Sequence, residues 1–460
     1  MTTECTQVGF EFHSLNHRQI RAQFDGGAIS SDGGGLLLRE VDKRTGIIHK
    51  FAACFTDYRD PERIEHRLEE LVAQRVYGLA LGYEDLNDHD QLRNDPLLAV
   101  LVEKSDPSQE VLAGKSTLNR LELTPATATA EARYKKIVLD HGAVDRLLVD
   151  LFLEAHGEAP QQIILDLDAT DDPLYGKQEG RFFHGYYGHY CYLPLYIFCG
   201  EFLLCARLRP SNIDGAAGSV AELQRIVPQI RSVWPQVRIL IRGDSGFCRE
   251  ELMAWCETEQ LDYLLGLAKN ERLKAEIQNP MAKAEALYRQ SGQAARVFHE
   301  LVYQTRESWS RARRVVAKAE YLEKGENPRF IVTSLDPEPW PAQPLYEEHY
   351  CARGDMENRI KEQLMLFSDR TSTAYLRSNQ LRLYFSSLAY VLLQSLRRLG
   401  LEGTELAQAQ CATLRLKLLK IGALIRITVR KVWVSFAGGY PYAELFRQIH
   451  TKLSAIPLKG

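Results

Sequence analysis

Gln162-Ile-Ile-Leu-Asp-Leu-Asp-Ala-Thr-Asp-Asp-Pro173 is the stretch on which the fold turns. Ile163, Ile164, Leu165 and Leu167 make an apolar run of strand length, and acids interrupt it only as it ends. A buried strand normally excludes carboxylates, because an unpaired charge out of water is very costly. Asp166 and Asp168 at such a strand's mouth therefore call for cations, either basic side chains or a metal. Strand residues two apart share a face, so the two acids compete for one role.

Downstream, residues 192–199 and 202–209 read as second and third strands, 216–232 as a helix and 237–241 as a fourth strand. That strand runs into Arg242-Gly-Asp-Ser-Gly246; a helix over 249–259 and a fifth strand over 263–267 follow. The order β-β-β-α-β-α-β predicts an α/β fold, a mixed sheet with helices on both faces. After a helix over 271–290, strands at 295–304, 313–321 and 329–333 form a β-rich insertion, closed by Asp336-Pro-Glu-Pro-Trp-Pro341. A helix of about six turns is expected over 347–367, then a long one over 372–399, an amphipathic one over 406–419 and a strand over 425–436.

Upstream, residues 1–155 read as mostly α-helical, with a clear amphipathic helix over 62–81. Ser30-Ser-Asp-Gly-Gly-Gly35 suits a plain turn and helix cap, or a phosphate cradle at a helix start. Asp88, His89 and Asp90 suit a solvated helix start with an aspartate cap, or metal ligation. Gly114-Lys-Ser-Thr has Gln109 where a phosphate loop needs its first glycine, and is discarded.

Composition sets outer limits. The chain has 460 residues, enough for two or three domains, and a net charge of −3, so any nucleic-acid surface must be local. Its nine cysteines are scattered without a CxxC pair, which fits reduced thiols in a cytoplasmic protein. No signal pattern opens the chain and no apolar run approaches bilayer length, so no membrane role is expected.

Three acids stand where a sheet-based metal site needs them. Asp168 ends the first strand, Asp244 ends the fourth, and Glu357 lies in the late helix. Carboxylates without histidine or cysteine suit Mg2+ or Mn2+ better than zinc. Two such ions about 4 Å apart stabilise the attacking and leaving oxygens of an in-line phosphoryl displacement. Tyr350, Arg353 and Lys361 share a helical face with Glu357, at spacings of seven, four and four. That face reads either as a solvated salt-bridge ladder or as a metal ligand flanked by phosphate-binding cations.

Taken together, Ser30-Ser-Asp-Gly-Gly, Gly82-Tyr-Glu-Asp, Asp168-Ala-Thr-Asp-Asp-Pro, Arg242-Gly-Asp-Ser-Gly-Phe247 and Tyr350 to Glu357 resemble the DDE transposases of bacterial insertion sequences. The match is closest to the 1380-type group, DDE group 1. The resemblance spans nearly the whole chain. It implies a ribonuclease-H-like core with a β-insertion between the second and third acids, and it selects Asp168 over Asp166 through the Asp-x-Thr pattern. It implies Asp168, Asp244 and Glu357 as catalytic metal ligands, with two Mg2+ or Mn2+ ions. The broader signature often carries a lysine seven residues after the glutamate; that position is Leu364 here, and Lys361 is the expected substitute.

On this reading residues 1–155 are a helical DNA-binding or dimerisation region and 156–270 the first part of the catalytic core. Residues 271–345 are the insertion, 346–400 the last part of the core and 401–460 a basic C-terminal region. The segment 377–431 is rich in cations, including Arg397, Arg398 and Lys431, and reads as a DNA footprint or as a solvated face. In the insertion Trp309 sits among Arg311, Arg313 and Arg314, and similar transposases stack an insertion-domain tryptophan on a flipped base. Hairpin packing is its other reading. The function implied is cut-and-paste transposition, with terminal inverted repeats and target DNA as partners and a homodimer in the synaptic complex. A ribonuclease-H-like nuclease without strand transfer and an inactive DNA-binding regulator are the alternatives. A bacterial, nucleoid-associated cytoplasmic location follows.

Overall fold

The structure is a computed structural model and describes residues 9–458. The chain divides into two compact units, one built from 1–138 with 388–460 and the other from 139–387. Among the described residues all eight cysteines are free, and no helix is long and apolar enough to cross a membrane.

The second unit is organised by a nine-stranded sheet. Its first strand is Gln162–Ala169, its second Leu195–Cys199, its third Phe202–Arg207, its fourth Arg238–Gly243 and its fifth Asp262–Leu267. In space they run third, second, first, fourth, fifth. The second is antiparallel to the first and third, and the fourth is parallel to the first and fifth. That order and polarity is the ribonuclease-H-like arrangement. The later strands continue the same sheet, because Arg329–Thr333 pairs with the fifth strand and is followed by Arg313–Leu322 and Ala295–Tyr303, all antiparallel.

Alternation along the strands divides the core in two. Ile163, Leu165, Leu167, Ile239, Ile241 and Leu265 face a large apolar layer that includes Phe152, Leu223, Ile226 and Met253. These last four belong to the helices His141–Glu154, Ser219–Val233 and Glu250–Thr258. On the other face Leu240, Leu264, Val316 and Ile331 pack beneath Leu345 and Tyr346. Helices thus cover both faces. Ile164, Asp166 and Asp168 alternate with the first set, so both acids lie on the thinner face, toward the segment that carries Glu357.

That segment is less regular than its spacing predicts. Leu345–Tyr350 winds as a π-helix, Cys351–Arg353 as a 3-10 turn, and only Gly354–Leu364 is α-helical. Ahead of the first strand, the helix His141–Glu154 follows the short strand Ile137–Leu139. The expected strand over 425–436 is instead a hairpin of Ala423–Ile427 and Val432–Phe436, since a turn at Thr428 to Lys431 folds it back.

In the first unit the glycine run is a packing device. A Cβ on Gly34 would stand 1.8 Å from the Leu418 carbonyl oxygen. The Gly33 and Gly34 amides donate to Ile421 and Leu419 carbonyls at 2.8 and 3.1 Å, so they cradle no phosphate. Asp32 beside them is buried, accepts the Tyr83 hydroxyl at 2.6 Å and pairs with Lys420 at 2.6 Å. The Ser30-Ser-Asp-Gly-Gly and Gly82-Tyr-Glu-Asp motifs therefore meet through Tyr83 and Asp32. His89 is buried between Gln74 and Arg75, and burial pushes its pKa down to about 3. Asp90 pairs with Lys115 at 3.1 Å, so this triplet is a structured helix start.

Candidate active site

Asp166 and Arg242 are register partners on the first and fourth strands. The Arg242 Nη2 donates to Asp166 Oδ2 at 2.7 Å, its Nε donates to the other carboxylate oxygen, and its Nη1 donates to the His349 carbonyl oxygen. Both side chains are buried. Burial raises the Asp166 carboxyl and the guanidinium pulls it back. This is a fork-to-fork ion pair with each partner's charge answered by the other. Asp166 is thus committed to Arg242, a residue that the strand pattern alone did not single out.

Asp168 is different. It lies one pleat further along, 16% exposed, and a single Arg353 Nη1 reaches its Oδ2 at 3.3 Å. The other Arg353 nitrogen, Nη2, stands 3.3 Å from Glu357 Oε1. Burial pushes the Asp168 carboxyl up to about 6, with Asp244 and Glu357 adding repulsion and Arg353 opposing. Burial works against charge on Arg353, yet Asp168, Tyr350, Asp244 and Glu357 hold its pKa above the ordinary guanidinium value. One cation thus stands among three acids drawn from three distant segments.

Glycines shape the ground around it. Asp244 Oδ1 accepts the Gly246 amide at 2.8 Å, which fixes the carboxylate at the fourth strand's end. On the fifth strand a Cβ at Gly266 would stand 2.5 Å from the Tyr350 hydroxyl and 2.8 Å from the Ser245 amide nitrogen. Only glycine lets Tyr350 lie this close to the Asp244 turn. Gly266 is a site-shaping residue missed at the sequence level, where the fifth strand carried no motif. Burial raises the Tyr350 phenol. Lys361 and Asp355 are exposed.

Among the described residues no three His, Cys, Asp or Glu side chains form a ready-made cluster for a metal ion. The guanidinium standing between Asp168 and Glu357 accounts for their separation. The donor chemistry nevertheless fits a hard divalent cation. All candidate donors are carboxylate oxygens, the ligand type that hard divalent cations take.

Three expected DNA contacts are corrected. Trp309 is buried, edge-on to Tyr303 at 5.7 Å, and its amide donates to Thr305, so it packs the insertion and presents no open stacking face. Arg313 is buried and bonded to Glu250 and Glu257. Arg397 is buried and donates to the Ala409 carbonyl oxygen at 3.1 Å. Arg398 is half-buried, which lowers its pKa. Arg311 and Lys431 are exposed, and Lys431 shares the Trp433 ring with Arg426. Asp172, close to Asp168 in the chain, is buried, with Thr371 donating to it at 2.9 Å.

A ribonuclease-H-like sheet with acids at the ends of its first and fourth strands and on a late helix defines a DDE-type nucleotidyl-transfer fold. Residues 12–458 match the family model of the Transposase DDE domain group 1, and the chain belongs to that family of DNA-cleaving transposases. Comparison with curated protein sequences finds no match. Among solved structures the chain is similar to the piggyBac transposase in its synaptic complex with hairpin DNA, at 11% identity and a TM-score of 0.42 over 94% of this chain and 86% of that one.

Proposed function

We propose that this chain is a cut-and-paste transposase, which cleaves DNA at the ends of its insertion sequence and joins the freed 3′ end to target DNA. Asp168, Asp244 and Glu357 would hold Mg2+ or Mn2+, as two ions. When bound, such ions supply charge stabilisation to the attacking and leaving oxygens of in-line phosphoryl transfer. The observation that carries the reading is the shared guanidinium: Arg353 touches both Asp168 and Glu357 and is further charged by Asp244.

The chain's own residues divide the remaining work. Arg353 turns its fork from the carboxylates to a scissile phosphate, matching two phosphate oxygens at once. Tyr350 bounds the phosphate's path beside Gly266, and exposed Lys361 adds a point charge one helical turn beyond Glu357. Arg242 keeps Asp166 out of the ligand set. The 1–155 and 401–460 segments contribute to end binding, in a homodimer that pairs two terminal inverted repeats. The protein works on DNA in the bacterial cytoplasm.

The test incubates purified protein with Mg2+ and DNA carrying the terminal repeats. Cleavage followed by joining is expected, and Asp244→Asn abolishes both while end binding persists. Cleavage without joining would instead describe a nuclease; binding without cleavage would describe a regulator. An Asp244→Asn protein that still cuts rules out this metal-site assignment.

A further inference from the structure

The burial of Trp309 leaves open which side chains meet the bases of a DNA strand at the Asp168 site. The exposed aromatics of the second unit gather elsewhere, on the hairpin of Phe182–His184 and His189–Tyr192. Phe183 is 58% exposed, Tyr186 at the turn 87%, and Tyr175 just before the hairpin 92%. Phe183 and Tyr190 are cross-strand partners with ring centroids 5.6 Å apart, and the Arg181 guanidinium lies 3.6 Å over the Tyr190 ring. A soluble protein seldom leaves so many large rings in water without a partner for them.

The hairpin is anchored to the candidate site. The short strand Asp172–Pro173, which follows Asp168 in the chain, pairs with its second strand. His189 is bonded to Asp171 at 2.7 Å, and Ser211 donates to the Phe182 carbonyl oxygen at 3.0 Å. Tyr187 lies close enough to feel both Asp171 and Asp168. The root is therefore fixed beside the carboxylates, while the tip and one ring-bearing face are open.

Charge identifies the partner. Lys177 is exposed and Arg181 half-buried. The acids nearby are engaged, Asp171 by His189 and Glu179 by the Leu376 amide at 3.0 Å. Exposed rings beside Lys177 and Arg181 make the kind of surface that binds unpaired nucleotides, stacking bases on rings and neutralising phosphates beside them. A protein partner would need these rings sealed from water, whereas a strand of bases can lie across scattered ones.

We propose that this hairpin is a single-strand platform, on which Tyr186 and Phe183 stack bases of the DNA strand that leads into the Asp168 site. The proposal rests on reading that site as DNA-cleaving. Opening the duplex next to the scissile phosphate would then be stabilised by the protein in the place where the chemistry happens.

The test measures fluorescence anisotropy of labelled oligothymidylate, about twenty nucleotides long, with the full chain and no divalent metal; a duplex of equal length is the reference. The parent is expected to bind the single strand. Phe183→Ala with Tyr186→Ala should weaken that binding by at least about tenfold, more than the loss of a single weak base stack, and leave duplex binding within about twofold. Tyr186→Trp should retain single-strand affinity. Tyr186→Ala alone, at a turn residue outside the core, gives the same direction if the double variant folds poorly. Failure of the parent to bind the single strand, or an unchanged affinity in both alanine variants, overturns the platform. Those outcomes leave the Asp244→Asn cleavage result untouched, so the platform and the active-site reading fail independently.

Discussion

At the scale of single residues, Asp166 and Asp168 separate by what answers their charge. Asp166 has a buried partner of its own in Arg242, whereas Asp168 shares Arg353 with Glu357. Asp166→Asn strands the Arg242 guanidinium in the sheet and should cost ~3–5 kcal/mol of stability, measured by urea unfolding. Asp168→Asn removes one of three mutually repelling carboxylates, so it should leave stability equal or higher while cleavage is lost. An Asp166→Asn protein that is fully stable yet inactive would move the ligand role to Asp166. Asp172 permits a pH prediction. Burial pushes its carboxyl up to about 8, far above the roughly 3.9 of an unfolded chain. The folded state therefore keeps a proton that the unfolded chain gives up, and the resulting stability is full below about pH 4 and lost as pH rises through about 8. The parent should melt lower at about pH 9 than at about pH 6. Asp172→Asn should reduce that difference, by roughly 2–4 °C for each kcal/mol removed. The two acids at the strand's mouth could be read from their spacing and the family pattern. Asp172 could not, because its hydroxyl partner Thr371 is 199 residues away and nothing beside Pro173 announces it.

At the scale of elements, the late helix shows where periodicity misleads. Tyr350, Arg353, Glu357 and Lys361 have ideal α-helical spacing, but the backbone is π-helical up to Tyr350 and tightens to a 3-10 turn at Arg353. Side-chain periodicity reports which residues face the sheet, and it is insensitive to a hydrogen-bond ladder that shifts by one residue. The shift matters because Tyr350 must lie over Gly266 while Arg353 reaches Asp168. Gly266→Ala would set a methyl 2.5 Å from the Tyr350 hydroxyl and 2.8 Å from the Ser245 amide. The Tyr350 hydroxyl is the end of a side chain, but the Ser245 amide is backbone beside Asp244 and cannot retreat without moving it. We expect ~1–3 kcal/mol of lost stability and a fall in cleavage of at least about tenfold, equivalent to a further ~1.4 kcal/mol in the transition state. Adding Tyr350→Phe removes the closer clash but not the one with Ser245, so it should restore part of the stability. No recovery in the double variant would mean that the Ser245 contact alone sets the cost. The same limit hid Trp309: a tryptophan among arginines looks like a DNA contact until Tyr303 and Thr305 close around it.

At the scale of the whole molecule, a net charge of −3 has to be reconciled with a polyanionic substrate. The cation-rich C-terminal third divides by partner. Arg397 and Arg415 donate to backbone carbonyls, and Lys420 is spent on Asp32, a pairing that ties the two ends of the chain into one unit. That closure was invisible in a linear reading, which treated 1–155 and 401–460 as separate regions. Arg426, Arg430 and Lys431, by contrast, are exposed on the terminal hairpin around Trp433. Counterion release makes the two classes distinguishable, because each phosphate neutralised contributes about 0.9 to the slope of log affinity against log salt. Replacing Arg426, Arg430 and Lys431 together with alanine should lower that slope by up to about 3 and leave the melting temperature unchanged. Arg397→Ala should do the reverse, lowering the melting temperature while the slope stays put, since its guanidinium is directed at Ala409. Duplex binding titrations at several salt concentrations, run beside thermal unfolding, separate the two. A triple variant with the parent's slope would remove the terminal hairpin from the DNA-binding surface and leave the charge problem to the second unit alone.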